Sequence, residues 1–483
     1  MPFFRRKPPE FRGYVDSCGG GEVRGWVWDR LRPHCGLRVE IYSAGALIGS
    51  SKADLFRADL AANGIGDGRH GFNFPLPPGD FPEETIAVKV AQSEFWLIDS
   101  GSRQLPDLMN SAARGLPLLR PALSMRSVDA LDVEIAGALQ RAWREAMGNR
   151  AASALLDRKT MWGEIVANRH RSLLACLEGS DPRPLAEHLV AVQRSPESVG
   201  LAQGDRAYRD FLAASPEGRR AAVVPFHDML ASLVQYMRIA RAECAEQDLV
   251  GETLVTDQSV LVDKIEAALG QAIVFPDVFD GLYGLAIRDK VLHGRDIQAL
   301  YAALRAIEAS GQSKPAICEI GGGFGKVAQY AWLRGVRRYT IIDLPTVCAM
   351  QYFYLRRTLP EASISLGASE KDEGDGISLV FAPSASQRLE LSADIALNCD
   401  SFPEMGDAVC RDYFRRIPLW APLLLSINQE GNREIRGPND RQSLVGALLP
   451  EFGFTRRYRF RSWIRQGYVE ELWSAPSSPG AAH

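Results

Sequence analysis

A glutamate followed by regularly spaced glycines is the stretch of this chain whose residue types point most directly to chemistry. The segment Ile317–Val327 reads ICEIGGGFGKV, and Glu319 is followed by Gly321, Gly323 and Gly325. Glycines let a ligand approach the backbone closely and adopt positive φ angles at little cost. The pattern predicts a strand, a ligand-binding loop and then a helix.

Phosphate-binding loops fit this segment poorly. A nucleoside triphosphate loop needs Ser or Thr directly after its lysine, and Lys326 is followed by Val327. A dinucleotide loop, G-x-G-x-x-G, would begin at Gly321 but has Lys326 in place of its third glycine. Glu319 would also repel a pyrophosphate in a partly desolvated cleft. A nicotinamide site is therefore disfavoured but stays open.

A cofactor with a cationic end fits the loop better. S-adenosylmethionine carries an ammonium and a sulfonium group, and the glycines would form a floor without side chains beneath its methionine portion. The next predicted strand ends at Asp343, 24 residues after Glu319 (343 − 319). A carboxylate there can accept hydrogen bonds from both ribose hydroxyls. The alternative is a strand–turn–helix whose glycines serve packing alone.

Strands and helices alternate through the segment that carries the loop. The alternation starts near Lys314, and the stretches FTRRYRF and YVEELWSA are expected to close the chain as an antiparallel pair. Strand–helix alternation predicts right-handed βαβ units and a mostly parallel sheet. The fold class is therefore multidomain α/β, with a Rossmann-like sheet in residues 312–483.

Two segments with different patterns of apolar residues precede this sheet. Residues 1–104 hold short alternating or aromatic runs broken by Gly and Pro, which predict a β-sandwich accessory domain. Residues 105–311 hold apolar residues at three- and four-residue intervals, which predict a helical lid or substrate domain ending at Gly311. Several domains are expected, because single cores rarely grow beyond about 250–300 residues.

Composition excludes several classes of function. The net charge of -3 and the pI of 6.2 show no excess of positive charge of the kind that binds nucleic acid. The eight cysteines form no C-x-x-C pair, which argues against a zinc ribbon and for a reducing compartment. No signal peptide is visible and no apolar run reaches the ~18 residues of a membrane span. We expect a cytoplasmic protein. A metal site stays open, but no cluster of residues requires one.

The sequence resembles the bacterial sugar O-methyltransferase family over roughly residues 315–429. The resemblance rests on EIGGGFGKVAQYAWLRGVRRYTIIDLPTVCAMQYFYL, followed by LNCDSFPEM and LLLSINQE. It implies a class I methyltransferase sheet, S-adenosylmethionine as cofactor and methyl transfer to a sugar hydroxyl of a bacterial glycan or glycan precursor. The stretches GWVWD, FRADL and GDGRHGF are similar to β-sandwich modules found beside bacterial glycan-modifying enzymes, which implies no activity.

The resemblance and the strand positions together assign candidate residues. This fold brings cofactor and acceptor together at the carboxyl tip of the fourth strand of the sheet. The candidate cofactor residues are Glu319, Gly321, Gly323, Gly325, Asp343 and Asn398. The candidate general bases are Asp400, Glu404 and His293, and the candidate substrate contacts are Ser401, Gln429 and, as a stacking residue, Tyr283. Alternatives are a cap or turn for Asp400, a solvated loop acid for Glu404 and a capping or surface role for His293.

Two other functions stay open at this point. One is a NAD-dependent oxidoreductase, and the other is a non-catalytic protein that binds or assembles glycans. The expected partners are a saccharide acceptor, enzymes of polysaccharide biosynthesis and a second copy of the chain.

Overall fold

In the computed structural model the chain divides into two units, Met1–Gly115 and Leu116–His483. The described residues are 9–19, 21–43, 45–78, 81, 85–93, 95–99, 119–148, 166, 168–242, 256–367, 374–382, 389–437 and 440–477. The predicted boundary between residues 104 and 105 lies outside them, as does the predicted helical stretch after Gly148.

The N-terminal unit is built almost entirely of strands. They are β1 (Phe11–Gly19), β2 (Glu22–Asp29), β3 (Leu37–Ser43), β4 (Ala46–Ala53), β5 (Leu55–Phe56), β6 (Arg69–Pro75), β7 (Ile86–Val90) and β8 (Ile98–Asp99), with helix α1 (Ala58–Ala62). Two sheets form, in the orders β5-β6-β2-β1-β8 and β4-β3-β7. Val27 and Phe72 of the first sheet share one core with Ile41 and Val88 of the second, because alternate side chains of each strand point inward.

The C-terminal unit begins with a mainly helical segment. Its elements are β9 (Pro121–Leu123), α2 (Ala130–Met147), α3 (Arg171–Glu178), α4 (Pro182–Val190), α5 (Gly204–Ala213), α6 (Pro216–Tyr236), α7 (Gln258–Leu269), β10 (Tyr283–Ile287), β11 (Lys290–Leu292) and α8 (Gly294–Ser310). Side chains of Asp129, Asp181, Ser215 and Asp257 cap helix N-termini. The small sheet β11-β10-β9 was not predicted, because strands this short show too little alternation.

A large mixed sheet follows the helical segment. Its elements are β12 (Ile317–Ile320), α9 (Lys326–Leu333), β13 (Arg338–Asp343), α10 (Pro345–Thr358), β14 (Ile364–Leu366), β15 (Gly376–Phe381), β16 (Ile395–Cys399), α11 (Phe402–Met405), α12 (Asp407–Trp420), β17 (Leu423–Gln429), β18 (Glu434–Gly437), β19 (Asp440–Arg441), α13 (Val445–Leu448), β20 (Thr455–Arg461) and β21 (Tyr468–Ser474). The sheet order is β14-β15-β13-β12-β16-β17-β21-β20. The predicted α/β class is thus confirmed.

Strand directions create a crevice at one edge of this sheet. The strands from β14 to β17 run parallel, and β21 and β20 run antiparallel, as predicted for the end of the chain. From the central strand β12 the chain moves to β13 on one side and later crosses to β16 on the other. Ligands of open α/β sheets bind where the strand order reverses in this way. The carboxyl ends of β12, β13 and β16 therefore form the candidate ligand-binding crevice.

One predicted helix is much shorter than expected. The stretch RQSLVGALLPEFG forms only α13 and a single 3-10 turn at Leu449–Phe452. Pro450 has no backbone N–H and therefore interrupts the helical hydrogen bonds.

The helical segment and the large sheet share one hydrophobic core. Leu139, Leu189 and Leu300 of the helices belong to the same cluster of buried residues as Ile341 and Leu425 of the sheet. The three-part division of the chain is therefore not confirmed. Gly311 is nevertheless the C-cap of α8, in the left-handed region with φ 71°, at the position where the helical segment was predicted to end.

Two further findings concern the described residues as a whole. None of their helices combines the length and the apolar character that crossing a bilayer requires. The seven described cysteines are all free.

A buried ionic network ties α8 to the antiparallel end of the sheet. Arg305 Nε donates to Glu470 Oε1 over 2.7 Å, and Tyr301 Oη donates to Glu470 Oε2 over 2.5 Å. Arg305 also donates to the hydroxyl of Tyr458 on β20 at 2.7 Å. Arg305 and Glu470 are almost completely buried. The network fixes the position of α8 over the sheet.

Removing one partner of this pair should be strongly destabilising. Arg305→Met is expected to lower the free energy of unfolding by about 3–5 kcal/mol, because Glu470 then stays buried without a counter-charge. Urea unfolding followed by tryptophan fluorescence measures the change. The double variant R305M/E470Q should recover part of the loss, and Arg411→Met at an exposed pair should cost under about 1 kcal/mol. An undiminished loss in the double variant would contradict the account.

Candidate functional site

Three of the four glycines after β12 have different structural reasons to be glycine. Gly321, Gly323 and Gly325 all have positive φ, at 76°, 56° and 83°. A Cβ on Gly321 would lie 2.2 Å from Ser401 Oγ, and one on Gly325 would lie 3.2 Å from the side chain of Leu355. A Cβ on Gly323 would have no atom within 4 Å. Gly323 therefore faces open space at the mouth of the crevice.

Glu319 is a buried carboxylate beside this loop. It is 1% exposed, and its Oε2 accepts a hydrogen bond from Tyr339 Oη at 2.9 Å. Burial raises the pKa of Glu319 to about 8, and the nearby Asp343 contributes in the same direction. The neutral Tyr339 hydroxyl offsets only part of this effect.

Asp343 is the second carboxylate at the crevice, at the end of β13. It accepts hydrogen bonds from the Leu344 amide and from Gln351 Nε2, both at 2.8 Å. Gln351 Nε2 also donates to Gly323 O at 2.9 Å, which links Asp343 to the loop. Desolvation raises the pKa of Asp343 to about 7, against hydrogen bonds that lower it.

Neither carboxylate has a cationic partner among the residues that the structure describes. The groups that donate to Glu319 and Asp343 are a hydroxyl, an amide side chain and backbone amides. Buried carboxylates are usually paired or hydrogen-bonded to charged groups, because isolated burial is costly. The crevice therefore favours a ligand that brings a positive charge.

Lys326 does not supply that charge. Its Nζ lies 2.5 Å from Asp296 Oδ1 in the first turn of α8 and 5.0 Å from the ring centre of Tyr354. Lys326 and Asp296 are both buried, so this lysine is committed to packing α9 against α8. The lysine after the loop is thus turned away from any phosphate.

Asn398 and Ser401 brace the start of the loop. Asn398 Nδ2 donates to Ile320 O at 2.9 Å, and Ser401 Oγ donates to the same carbonyl at 2.8 Å. Asn428 Nδ2 in turn donates to Asn398 Oδ1 at 2.9 Å. These contacts position the loop from the β16 side. The predicted roles of Asn398 toward the cofactor and of Ser401 toward the substrate stay predictions.

Asp400 lies at the centre of a cluster of charged side chains. Its Oδ2 accepts from Arg465 Nη1 at 2.7 Å and from Arg295 Nη1 at 3.3 Å, and its Oδ1 accepts from Tyr468 Oη at 2.5 Å. Its φ is 69°, which is unusual for a residue other than glycine and occurs mainly at turns and functional sites. Sequence reasoning missed both arginines and the tyrosine.

His293, a predicted base, is the N-cap of α8. Its Nδ1 accepts from the Arg295 amide at 3.1 Å, and burial, with smaller contributions from Lys326 and Arg295, lowers its pKa to about 3. A neutral imidazole whose Nδ1 accepts a hydrogen bond carries its proton on Nε2. Nε2 is then a donor, so the capping alternative describes His293 better than the general base does.

The other predicted residues have these positions. Tyr283 stacks on Phe211, with ring centres 4.5 Å apart, so one ring face is already covered within the protein. Gln429 ends β17 opposite Tyr468, and its side chain accepts from the Gly431 amide. Glu404 is half-buried in the short helix that follows Ser401. No cluster of three or more metal-ligating side chains occurs among the described residues.

Comparison with known proteins gives likenesses of structure only. No protein-family model matches the chain, and no curated protein sequence matches it. The glycopeptide N-methyltransferase MtfA, complexed with sinefungin, aligns at a TM-score of 0.29 and 15% identity, covering 37% of this chain and 94% of that one.

Two further solved structures are similar to a comparable extent. Magnesium protoporphyrin IX methyltransferase from Synechocystis PCC 6803 with bound SAH has a TM-score of 0.29 and 11% identity, over 38% of this chain and 84% of that one. The CcbJ methyltransferase from Streptomyces caelestis has a TM-score of 0.28 and 14% identity, over 38% and 90%. With TM-scores and sequence identities this low, the chemistry of the site rests on its own residues.

The raised pKa values of the crevice predict a characteristic pH dependence of stability. A carboxyl group whose pKa is higher in the folded state contributes stability at low pH that is lost as pH rises through the folded pKa. For Glu319 the window runs from the ordinary glutamate pKa of 4.5 to the folded-state pKa of about 8. The melting temperature of the ligand-free protein should therefore fall between about pH 5 and pH 8, and Glu319→Gln should flatten that decline.

The size of this effect is on the order of 1–4 kcal/mol across the window. Differential scanning fluorimetry over pH measures it, and Gln at position 319 can still accept the Tyr339 hydrogen bond. The matched control is Glu451→Gln, because Glu451 is exposed, paired with Arg411 and has a lowered pKa. Identical pH profiles for the wild type and E319Q would count against the buried, unpaired carboxylate.

Proposed function

We propose that this protein is an S-adenosylmethionine-dependent O-methyltransferase that acts on a sugar hydroxyl of a bacterial glycan or glycan precursor. The observation that carries the proposal is the pair of carboxylates, Glu319 and Asp343, that flank an open glycine loop without any cationic partner among the described residues.

The residues of the crevice fit this cofactor in charge and in space. Glu319 and the open floor at Gly323 would hold its cationic methionine end, and Asp343 would accept from the ribose hydroxyls. At the glycine loop itself a pyrophosphate would meet the carboxylates of Glu319 and Asp343, and Lys326, the lysine that follows the loop, is paired with Asp296. The same features therefore disfavour a nicotinamide dinucleotide.

The acceptor end of the proposal rests on Asp400 and on the family resemblance. When bound, the cofactor supplies a methyl group that is already activated by the sulfonium charge. Catalysis then consists mainly of holding the acceptor oxygen in line and removing its proton. In the described contacts Asp400 Oδ1 accepts only from Tyr468, so a lone pair on Oδ1 is open to an acceptor hydroxyl.

The proposed step follows from this geometry. Asp400 Oδ1 would accept the proton of the acceptor hydroxyl, whose oxygen would take the methyl group that the bound cofactor would supply. Tyr468 and the two arginines hold the carboxylate in place. His293 stays neutral and fixes the first turn of α8. The helical segment would keep water from the reacting atoms.

Cofactor binding tests the first half of the proposal. Isothermal titration calorimetry should show saturable binding of S-adenosylmethionine and none of NAD. Glu319→Gln should weaken binding about 10- to 100-fold, because the ligand's charge loses its counter-charge. Glu451→Gln should leave it unchanged. Binding of NAD without binding of S-adenosylmethionine would overturn the proposal.

Proton transfer to Asp400 gives a second prediction. Asp400→Asn should lower kcat about 100-fold or more for an accepted saccharide, with little change in the affinity for the cofactor. Formation of adenosylhomocysteine across a panel of saccharides is the measurement. Asp412→Asn, at an ion-paired aspartate on α12, is the matched control. Cofactor binding without turnover of any saccharide would instead favour the non-catalytic alternative.

A further inference from the structure

Two arginines converge beside the proposed acceptor position. Arg295 comes from the first turn of α8, and Arg465 comes from the turn before β21. Both donate to Asp400, and Arg465 also donates to Tyr468 Oη at 2.5 Å. We call these four residues the arginine cluster. Ser401, the residue after Asp400, contacts Gly321, so the cluster adjoins the cofactor loop.

The arginine cluster carries an uncancelled positive charge. It holds two guanidinium groups and one carboxylate, and the hydroxyl of Tyr468 stays protonated because burial and Asp400 raise its pKa. Neighbouring charges are already matched, since Lys326 pairs with Asp296 and Arg305 pairs with Glu470. The crevice thus has a negative half at Glu319 and Asp343 and a positive half at the arginine cluster.

The guanidinium groups retain capacity to bind a ligand. The side chains of Arg295 and Arg465 are 26% and 20% exposed, so both reach the solvent. In the part of the chain that the structure describes, Arg295 donates to Gln298, Asp400 and Gly200 O, and Arg465 donates to Asp400 and Tyr468. These contacts leave N–H groups of both guanidiniums unused. Planar guanidinium groups bind carboxylate and phosphate oxygens in pairs.

We infer that the acceptor carries an anionic group, a carboxylate or a phosphate, which binds Arg295 and Arg465 beside the hydroxyl to be methylated. The inference rests on the proposed function, because it places this acceptor next to the cofactor loop. The φ of Asp400 is 69°, in the left-handed region that aspartate adopts more readily than most residues other than glycine.

Binding to the cofactor-saturated protein tests the inference. The probes are glucose, glucuronate, the methyl ester of glucuronate and glucose 6-phosphate, titrated by calorimetry. Glucuronate or glucose 6-phosphate should bind about 10- to 100-fold more tightly than glucose and the neutral ester. The tighter of the two anionic probes tells whether the natural group is a carboxylate or a phosphate.

Variants show whether the arginine cluster causes this preference. Arg295→Gln and Arg465→Gln should each reduce it about tenfold while S-adenosylmethionine affinity is kept, which also shows that the variants are folded. Arg411→Gln, at an exposed pair with Glu451, should leave it unchanged. Equal binding of neutral and anionic probes, no saturable binding of either anionic probe, or a preference that survives both arginine variants would each overturn the inference. Failure to bind S-adenosylmethionine would instead overturn the proposed function.

Discussion

Glu319 and Asp343 lie at the ends of neighbouring parallel strands and have no counter-charge among the residues that the structure describes. In the function that we propose, these two carboxylates determine the charge of the ligand that the crevice binds. Two other pairs of buried charges in the C-terminal unit compensate each other, Lys326 with Asp296 and Arg305 with Glu470. Glu319 and Asp343 instead have neutral donors, and their pKa values are raised. Such an arrangement reduces the stability of the ligand-free protein near neutral pH and is stabilised by a cationic ligand. The open space at Gly323 gives that ligand a place.

Helix α8 connects the parts of the site to one another. Its first turn carries Arg295 and Asp296, which contact Asp400 and Lys326. Its last turns carry Arg305, which contacts Glu470 on β21. Helix α8 thus contacts three parts of the C-terminal unit: the end of β16, the helix after the glycine loop and the antiparallel end of the sheet. These contacts fix their positions relative to one another. The helical segment therefore helps to position the side chains of the candidate site, in agreement with the hydrophobic core that it shares with the sheet.

The sequence predicted the local features of the site and missed the contacts between distant residues. Glu319, the glycines and Asp343 could be assigned to one candidate site because their spacing along the chain, which a single sequence displays, places them at the ends of adjacent strands. Arg295 and Arg465 lie 105 and 65 residues from Asp400, and only the three-dimensional arrangement brings them together. His293 was predicted as a base, with a cap as the alternative, because its residue type suits both roles. Its hydrogen bond to the Arg295 amide has no signal in the sequence.

The number of protons released when the cofactor binds reports directly on the charge state of Glu319 and Asp343. Near about pH 7, Glu319 and Asp343 hold protons for part of the time, and a bound cation should displace them. Calorimetric titration of S-adenosylmethionine in buffers of different ionisation enthalpy measures the number of protons released. We expect a net release of protons by the wild type and a smaller release by the Glu319→Gln variant. Binding with no proton release, or with proton uptake, would contradict the claim that the crevice is built around two unpaired carboxylates.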